Sequence, residues 1–158
     1  AFASPFAGKE WKTILTVSYR YRVLDDSDPR IRTGLEISKS ALQEMQRRLS
    51  LAKVDFLVVL LPTKESVFRP RLDNVDRHRD LVTLAGTEDR LRDELKGFMT
   101  ELGIAYVDAV PGLRKSVQQP YFADTDGHPN TLGHRIIAEA IIGYLESDAS
   151  SRIGRVRE

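Results

Sequence analysis

Hydrophobic and polar positions change period several times along the chain, and each change marks an element. Leu15, Val17, Tyr19, Tyr21 and Val23 alternate with polar neighbours, the two-residue period of a half-buried strand. The same stretch puts Trp11, Ile14, Leu15, Ser18 and Arg22 on one helical face, so a helix is also open there. "DDSDPR" then reads as a turn or loop. From Gly34 to Ala52 the period is helical, with a stripe of Leu35, Leu42, Met45, Leu49 and Ala52. "VDFLVVLLP" is a continuous apolar run closed by Pro62, the pattern of a parallel strand covered on both faces.

More helix is expected from about Asp76 to Leu102, interrupted at Gly86, with Leu91, Leu95, Phe98, Met99 and Leu102 on one face. Gly103 is placed to cap it, and "IAYVDAVPG" reads as a second short buried strand. A last helix is expected from Thr131 to Leu145, burying Leu132, Ile136, Ile137, Ala140, Ile141, Tyr144 and Leu145. The order helix, strand, helix, strand, helix predicts an α/β layered domain with a parallel sheet. The tail after residue 147 is expected to fray.

Composition narrows the function classes. The chain has 158 residues, 41% hydrophobic and 30% charged, enough for one domain with a core of its own. Its 24 basic and 23 acidic residues give a formal charge of +1, no field to gather nucleic acid or an anionic membrane. With no cysteine there is no disulfide framework, thiolate metal site or cysteine nucleophile. No apolar run approaches the roughly 20 residues that span a bilayer. The start, "AFASPFAGKEW", is not a complete signal peptide and lacks an initiator methionine, which suggests a piece of something longer or a processed chain.

The chemistry-bearing stretch is "FADTDGHPNTLGHRIIAEAI", residues 122–141. Ligands of parallel sheets gather beyond the carboxyl ends of the strands, where "PTKE" (62–65), "VDAVPG" and the "DTDGHPN" turn all fall. A histidine in such a turn reaches a cleft while a carboxylate fixes its tautomer. Asp126, two residues before His128, and Asp124, four before it, are both candidates for that carboxylate. Against this stands a simple capping turn, since Asp, Gly, Pro and Asn suit any turn before a helix and Asn130 is a good N-cap.

"DTDGHPNTLGHRIIAEAI" resembles the last block of SGNH (GDSL-type) esterases and lipases. The succession "FLVVLLPTKESVF" then "LGIAYVDAVPGLRK" resembles the SGNH-like proteins of polysaccharide O-acetylation, of the alginate acetylation type. The likeness covers about residues 34 to 146. It implies a partial three-layer, flavodoxin-like parallel sheet flanked by helices: residues 1–32 a helix-plus-loop segment, 33–147 the C-terminal part of the α/β domain, and 148–158 a tail. Residues 9–24 would then be helical, against the strand period. His128 would be the general base and Asp126 its orienting partner, with Asp124 the alternative. Many SGNH enzymes place the Asp three residues before the His, where this chain has Thr125. Thr63 and Lys64 would bind substrate.

The family's nucleophilic serine lies in an early Gly-Asp-Ser block, and its oxyanion hole draws on a later Gly-x-Asn-Asp block. Neither block occurs here; Ser18, Ser38, Ser40, Ser66 and Ser116 stand in other contexts. The resemblance therefore implies the C-terminal half of an ester hydrolase or O-acyltransferase acting on a small ester, glycan or lipid, with its nucleophile upstream of residue 1. It implies no cofactor, and it leans to an extracytoplasmic setting. A chain so divided is expected to associate with itself or with the N-terminal half of the same protein. A catalytically silent α/β module that binds a glycan or a partner protein is the alternative, and an unrelated flavodoxin-like domain is disfavoured because no phosphate loop follows either strand.

Other sites fare worse. Asp124, Asp126, His128 and His134 do not have a recognised metal-ligand spacing, and no metal is expected. "RVLDDSDPRIR" lacks the Gly and terminal Glu of a calcium loop. "RPRLDNVDRHRD" has its basic residues broken up by acids and no aromatic platform, so nucleic acid is not expected as a partner.

Overall fold

A computed structural model describes residues 4–7, 11–72 and 78–155. It is a mixed α/β structure in which helices flank a small parallel sheet. The first residues form a two-stranded antiparallel ribbon, β1 (Ser4–Ala7) with β2 (Lys12–Leu15), followed by helix α1 (Val17–Leu24). The strand period read over Leu15 to Val23 is corrected: Val17–Leu24 is helix, and of those alternating positions Leu15 alone lies in a strand. The strand sits earlier, in β2, with Thr13 and Leu15 buried. The expectation of helix throughout 9–24 is corrected accordingly: Lys12 to Leu15 is strand, and residues 9 and 10 lie outside the described residues.

Helix α2 (Pro29–Leu51) starts five residues before Gly34 because "DDSDPR" contains a helix start as well as a turn. The Asp28 carboxylate accepts the Arg30 N–H at 2.8 Å, and Pro29 takes the first helical position, where its missing N–H costs nothing. The helix ends at Leu51, and Lys53, just past the C-cap Ala52, has a φ of 57° that puts a lysine in the left-handed region. Strand β3 (Leu57–Leu60) pairs in parallel with β4 (Ala105–Asp108), in the register Leu57–Ala105 to Leu60–Asp108. Contrary to a strand covered on both faces, all four β3 residues are only half-buried, because β4 is its one partner among the described residues.

Helix α3 (Lys64–Phe68) follows β3 and is buried at every position. Helix α4 (Arg79–Glu101) runs unbroken through Gly86; the expected residues 76 and 77, like part of the basic stretch 69–80, lie outside the described residues. A glycine costs a helix about 1 kcal/mol, and burial of Leu81, Leu84 and Ala85 on the same turns outweighs it. Gly103, at φ 63°, caps α4, and the Ile104 N–H donates to Met99 O at 2.8 Å. After β4 come α5 (Val110–Lys115) and α6 (Thr131–Arg155). The frayed tail is corrected too, since helix continues to Arg155. Leu145, expected to face inward, is 51% exposed.

The core gathers beyond the carboxyl ends of β3 and β4. Trp11, Leu15, Val67, Phe68, Leu81, Ala109, Leu113 and Tyr121 form one cluster, with Ile136 and Ile137 of α6 against it. Trp11 meets Phe68 edge-on, centroids 4.8 Å apart, and its indole N–H donates to Val117 O at 2.9 Å. The Tyr121 hydroxyl donates to Pro62 O at 2.8 Å. The N-terminal ribbon is therefore built into the core that carries the 122–130 loop.

Candidate functional site

The "DTDGHPN" loop is pinched at its base before it can present anything. Tyr121 and Pro129 form an isolated antiparallel bridge, and the Asn130 N–H donates to Pro120 O at 3.0 Å. The Asn130 side chain works both ways. Its Nδ2 donates to Gln119 O (2.8 Å) and Tyr121 O (3.2 Å), while its Oδ1 accepts the N–H groups of Leu132 and Gly133. It is the N-cap of α6 and a clasp across the loop.

Inside the loop the two aspartates take different tasks. Asp124 Oδ1 accepts the Asp126 N–H at 2.8 Å, a local turn. Asp126 Oδ1 accepts the His128 N–H at 2.9 Å and lies 2.5 Å from the His128 Nδ1. Of the two carboxylates left open by spacing, Asp126 is therefore the one on the ring. An ionised carboxylate only accepts, so Nδ1 carries a proton, and in the neutral ring Nε2 is the acceptor nitrogen. The His128 side chain is 83% exposed, so Nε2 faces solvent. The backbone and ring N–H groups of His128 hold the Asp126 carboxyl below its ordinary range.

Thr63 and Lys64, expected to touch substrate, are engaged elsewhere. Thr63 caps α3 through the Ser66 N–H, and its own N–H and hydroxyl donate to Glu88 at 2.8 and 2.5 Å. Burial pushes the Glu88 carboxyl up, although both bonds from Thr63 oppose this. Lys64 is 1% exposed. Its ammonium donates to the carbonyls of Phe122 (3.0 Å), Asp124 (2.6 Å) and Asp126 (2.8 Å). Burial pushes this ammonium down from the usual lysine range, while Glu65, Asp124 and Asp126 pull it back.

Two residues not singled out in the sequence complete the surroundings. Buried Glu65 accepts the Thr16 N–H (2.8 Å) and hydroxyl (3.1 Å), and Arg20 Nε lies 3.8 Å from its other oxygen. The Arg20 guanidinium rests on Gly127, so close that a Cβ there would collide with it. Glu65 is the last residue of the "PTKE" cluster, in which only Thr63 and Lys64 were given a role. Arg20 carries no such signal, because its place depends on how α1 meets a loop more than 100 residues away.

No serine joins the pair. Among the described residues no hydroxyl hydrogen-bonds the His128 ring, and Ser66 is buried against Arg114. No group of three metal-ligating side chains converges among them, and no helix is long and apolar enough to cross a membrane. The larger clefts lie elsewhere. One of about 480 Å³ runs between α2, α4 and the end of β3, lined by Leu35, Leu60, Leu61, Leu91 and Leu95. Another, of about 640 Å³, is more polar and adjoins Phe56, Gly103 and Tyr144. Comparison with protein-family models, with curated proteins and with solved structures finds no match for this chain.

Proposed function

We propose that this chain supplies the histidine and aspartate of a Ser-His-Asp acyl-transfer device, in an SGNH-like ester hydrolase or O-acyltransferase. One observation carries the reading: the His128 ring is held at Nδ1 by Asp126, 2.5 Å away, with Nε2 turned to solvent. A capping turn needs Asn130 and the backbone; it has no need of a carboxylate on an exposed imidazole. The resemblance of "DTDGHPN" to the last SGNH block, set out above, names the chemistry.

In that chemistry a serine Oγ attacks the ester carbonyl as its proton passes to His128 Nε2. Asp126 steadies the imidazolium. Collapse of the tetrahedral intermediate returns that proton to the departing alkoxide and leaves an acyl-serine. Water completes hydrolysis, or an acceptor hydroxyl completes transfer, with Nε2 taking the proton again. The proposal takes the serine and the oxyanion donors from outside these 158 residues. A strand added in parallel beside the open edge of β3 would end on the same side as Thr63 and Lys64. Phe122, on the loop, and Tyr19, next to Arg20, are 46% and 56% exposed and suit the face of a sugar ring.

The test is a fluorophosphonate probe read by intact mass. This chain alone stays unlabelled and nearly inactive toward esters, since nucleophile and oxyanion hole are both missing. The same chain preceded by its upstream coding sequence labels on an upstream serine, and H128A abolishes ester turnover. A labelled serine within these 158 residues, or turnover indifferent to H128A, overturns the proposal. The second reading, a silent module binding a glycan or partner, is favoured by the absence of any hydroxyl on the ring among the described residues. It wins if the upstream sequence carries no Gly-Asp-Ser block.

A further inference from the structure

We propose that Lys64 is a positioning residue that sets the shape of the His128 loop from beneath, and is not a substrate-binding one. This rests on the acyl-transfer reading for its purpose, though not for its geometry. The three donors of the ammonium meet three carbonyls from alternate residues, 122, 124 and 126. Three carbonyl dipoles pointed at one spot repel one another, and a cation at that spot makes the arrangement favourable. With the carbonyls turned inward, the Asp124 and Asp126 side chains are left for the outward ladder: Asp124 on the Asp126 N–H, then Asp126 on the His128 N–H and ring.

The base of the lysine is itself fixed. Lys64 opens α3, which is buried along its whole length and capped by Thr63. Its neighbour Glu65 ties down Thr16 and draws Arg20 toward the loop, where the guanidinium covers Gly127. The bonds from Lys64 go only to backbone, so they specify the path of the loop whatever its side chains are.

The test replaces Lys64 and reads the pair by NMR. In K64M, amide exchange at Asp126 and His128 is expected to speed up at least ~10-fold, the scale of losing one hydrogen bond to a charged group. The imidazole ¹⁵N shifts are expected to pass from one tautomer to a mixture. L84A, a core truncation away from the loop, serves as the control for lost stability and should leave both readouts unchanged. Because the chain has no cysteine, K64C can be aminoethylated in the unfolded state at that site alone, and refolding should restore the wild-type values.

If K64M does not fold, the wild-type chain still decides. Its Lys64 ammonium should exchange protons at least ~10-fold more slowly than the other lysines and couple to the three loop carbonyls. Normal lysine exchange, or a folded K64M with an unchanged pair, overturns the proposal whatever the enzymology shows. A loosened pair in K64M alongside ester turnover indifferent to H128A would instead sink the acyl-transfer reading and leave the positioning intact.

Discussion

Gly133→Ala should destabilise this protein, although the substitution favours a helix almost anywhere else. Gly133 lies in the first turn of α6 and is buried. A Cβ there would sit well inside van der Waals contact with the Pro120 carbonyl oxygen, 2.7 Å from Pro129 Cβ and 3.2 Å from Pro120 C. The oxygen belongs to backbone and cannot swing aside, so α6 must retreat by about an ångström to reach ordinary contact distances. That retreat breaks the 3.0 Å bond from the Asn130 N–H to Pro120 O and strains the Asn130 clasp on Gln119 and Tyr121. Overpacking costs ~1–3 kcal/mol and each lost hydrogen bond ~1 kcal/mol. The helix gains only ~1 kcal/mol from alanine. The net loss should be about 1–3 kcal/mol by urea denaturation. Gly97→Ala is the internal comparison. Nothing lies within 4 Å of a Cβ there, so it should gain ~0.5–1 kcal/mol. A G133A chain as stable as wild type would refute the close approach of α6 to the 120–130 segment.

The other expectations are shorter. Lys53 pays for its left-handed φ of 57°, so K53G should raise the urea midpoint by the equivalent of about 1 kcal/mol; an unchanged midpoint would argue against that backbone conformation. The Glu88 carboxyl is pushed up on folding, so its protonated form is favoured by the fold. Its contribution is complete below the unfolded value of about 4.5 and is lost as pH rises through the raised folded value, and stability curves of E88Q should lack that decline. Asp126 is shifted the other way, so its carboxyl ¹³C signal should titrate below the ordinary 3.8; a midpoint above 4 would contradict the pairing. Finally, β3 has one open edge and Leu61 beside it is 58% exposed. Sedimentation at tens of micromolar should therefore show self-association that L61K weakens, and a clean monomer would count against it.

What the sequence disclosed, and what it hid, follows from the range of the forces involved. The long helices α2, α4 and α6, the parallel strand pair and the Gly103 and Asn130 caps were legible because each depends on a local period or on one residue's conformational freedom; α3 and α5, too short to show a period, were not. The errors came where tertiary burial overrode a local signal, as at Gly86, or where a start signal lay inside an apparent turn, as at Asp28-Pro29. Asp126 and His128 were legible as candidates because they are two residues apart. The choice between Asp124 and Asp126 needed coordinates, since the loop's path decides which carboxylate meets the ring. The engagement of Lys64 with carbonyls some 60 residues away has no trace in any local pattern.

Contacts that order the pair are found throughout the described residues, and they bear on the proposed acyl-transfer role. Lys64 grips the loop from below, Asn130 closes its base, Thr13 donates its hydroxyl to Phe122 O, and the Trp11–Phe68–Tyr121 cluster carries all three. None of these contacts calls for a nucleophile. The histidine and aspartate are thus held in place without one; under the acyl-transfer proposal, a proton acceptor ordered in advance does not lose that entropy at the moment of reaction. Among the described residues β3 has no strand on its other edge, and an apolar cleft lies at its end, between α2 and α4. The side chains concerned differ in setting: Leu61 is exposed at that edge, while the Lys64 ammonium is buried against the loop carbonyls. A substitution such as L61K, at the edge, should therefore leave the imidazole signature untouched, and K64M should disturb that signature without altering association.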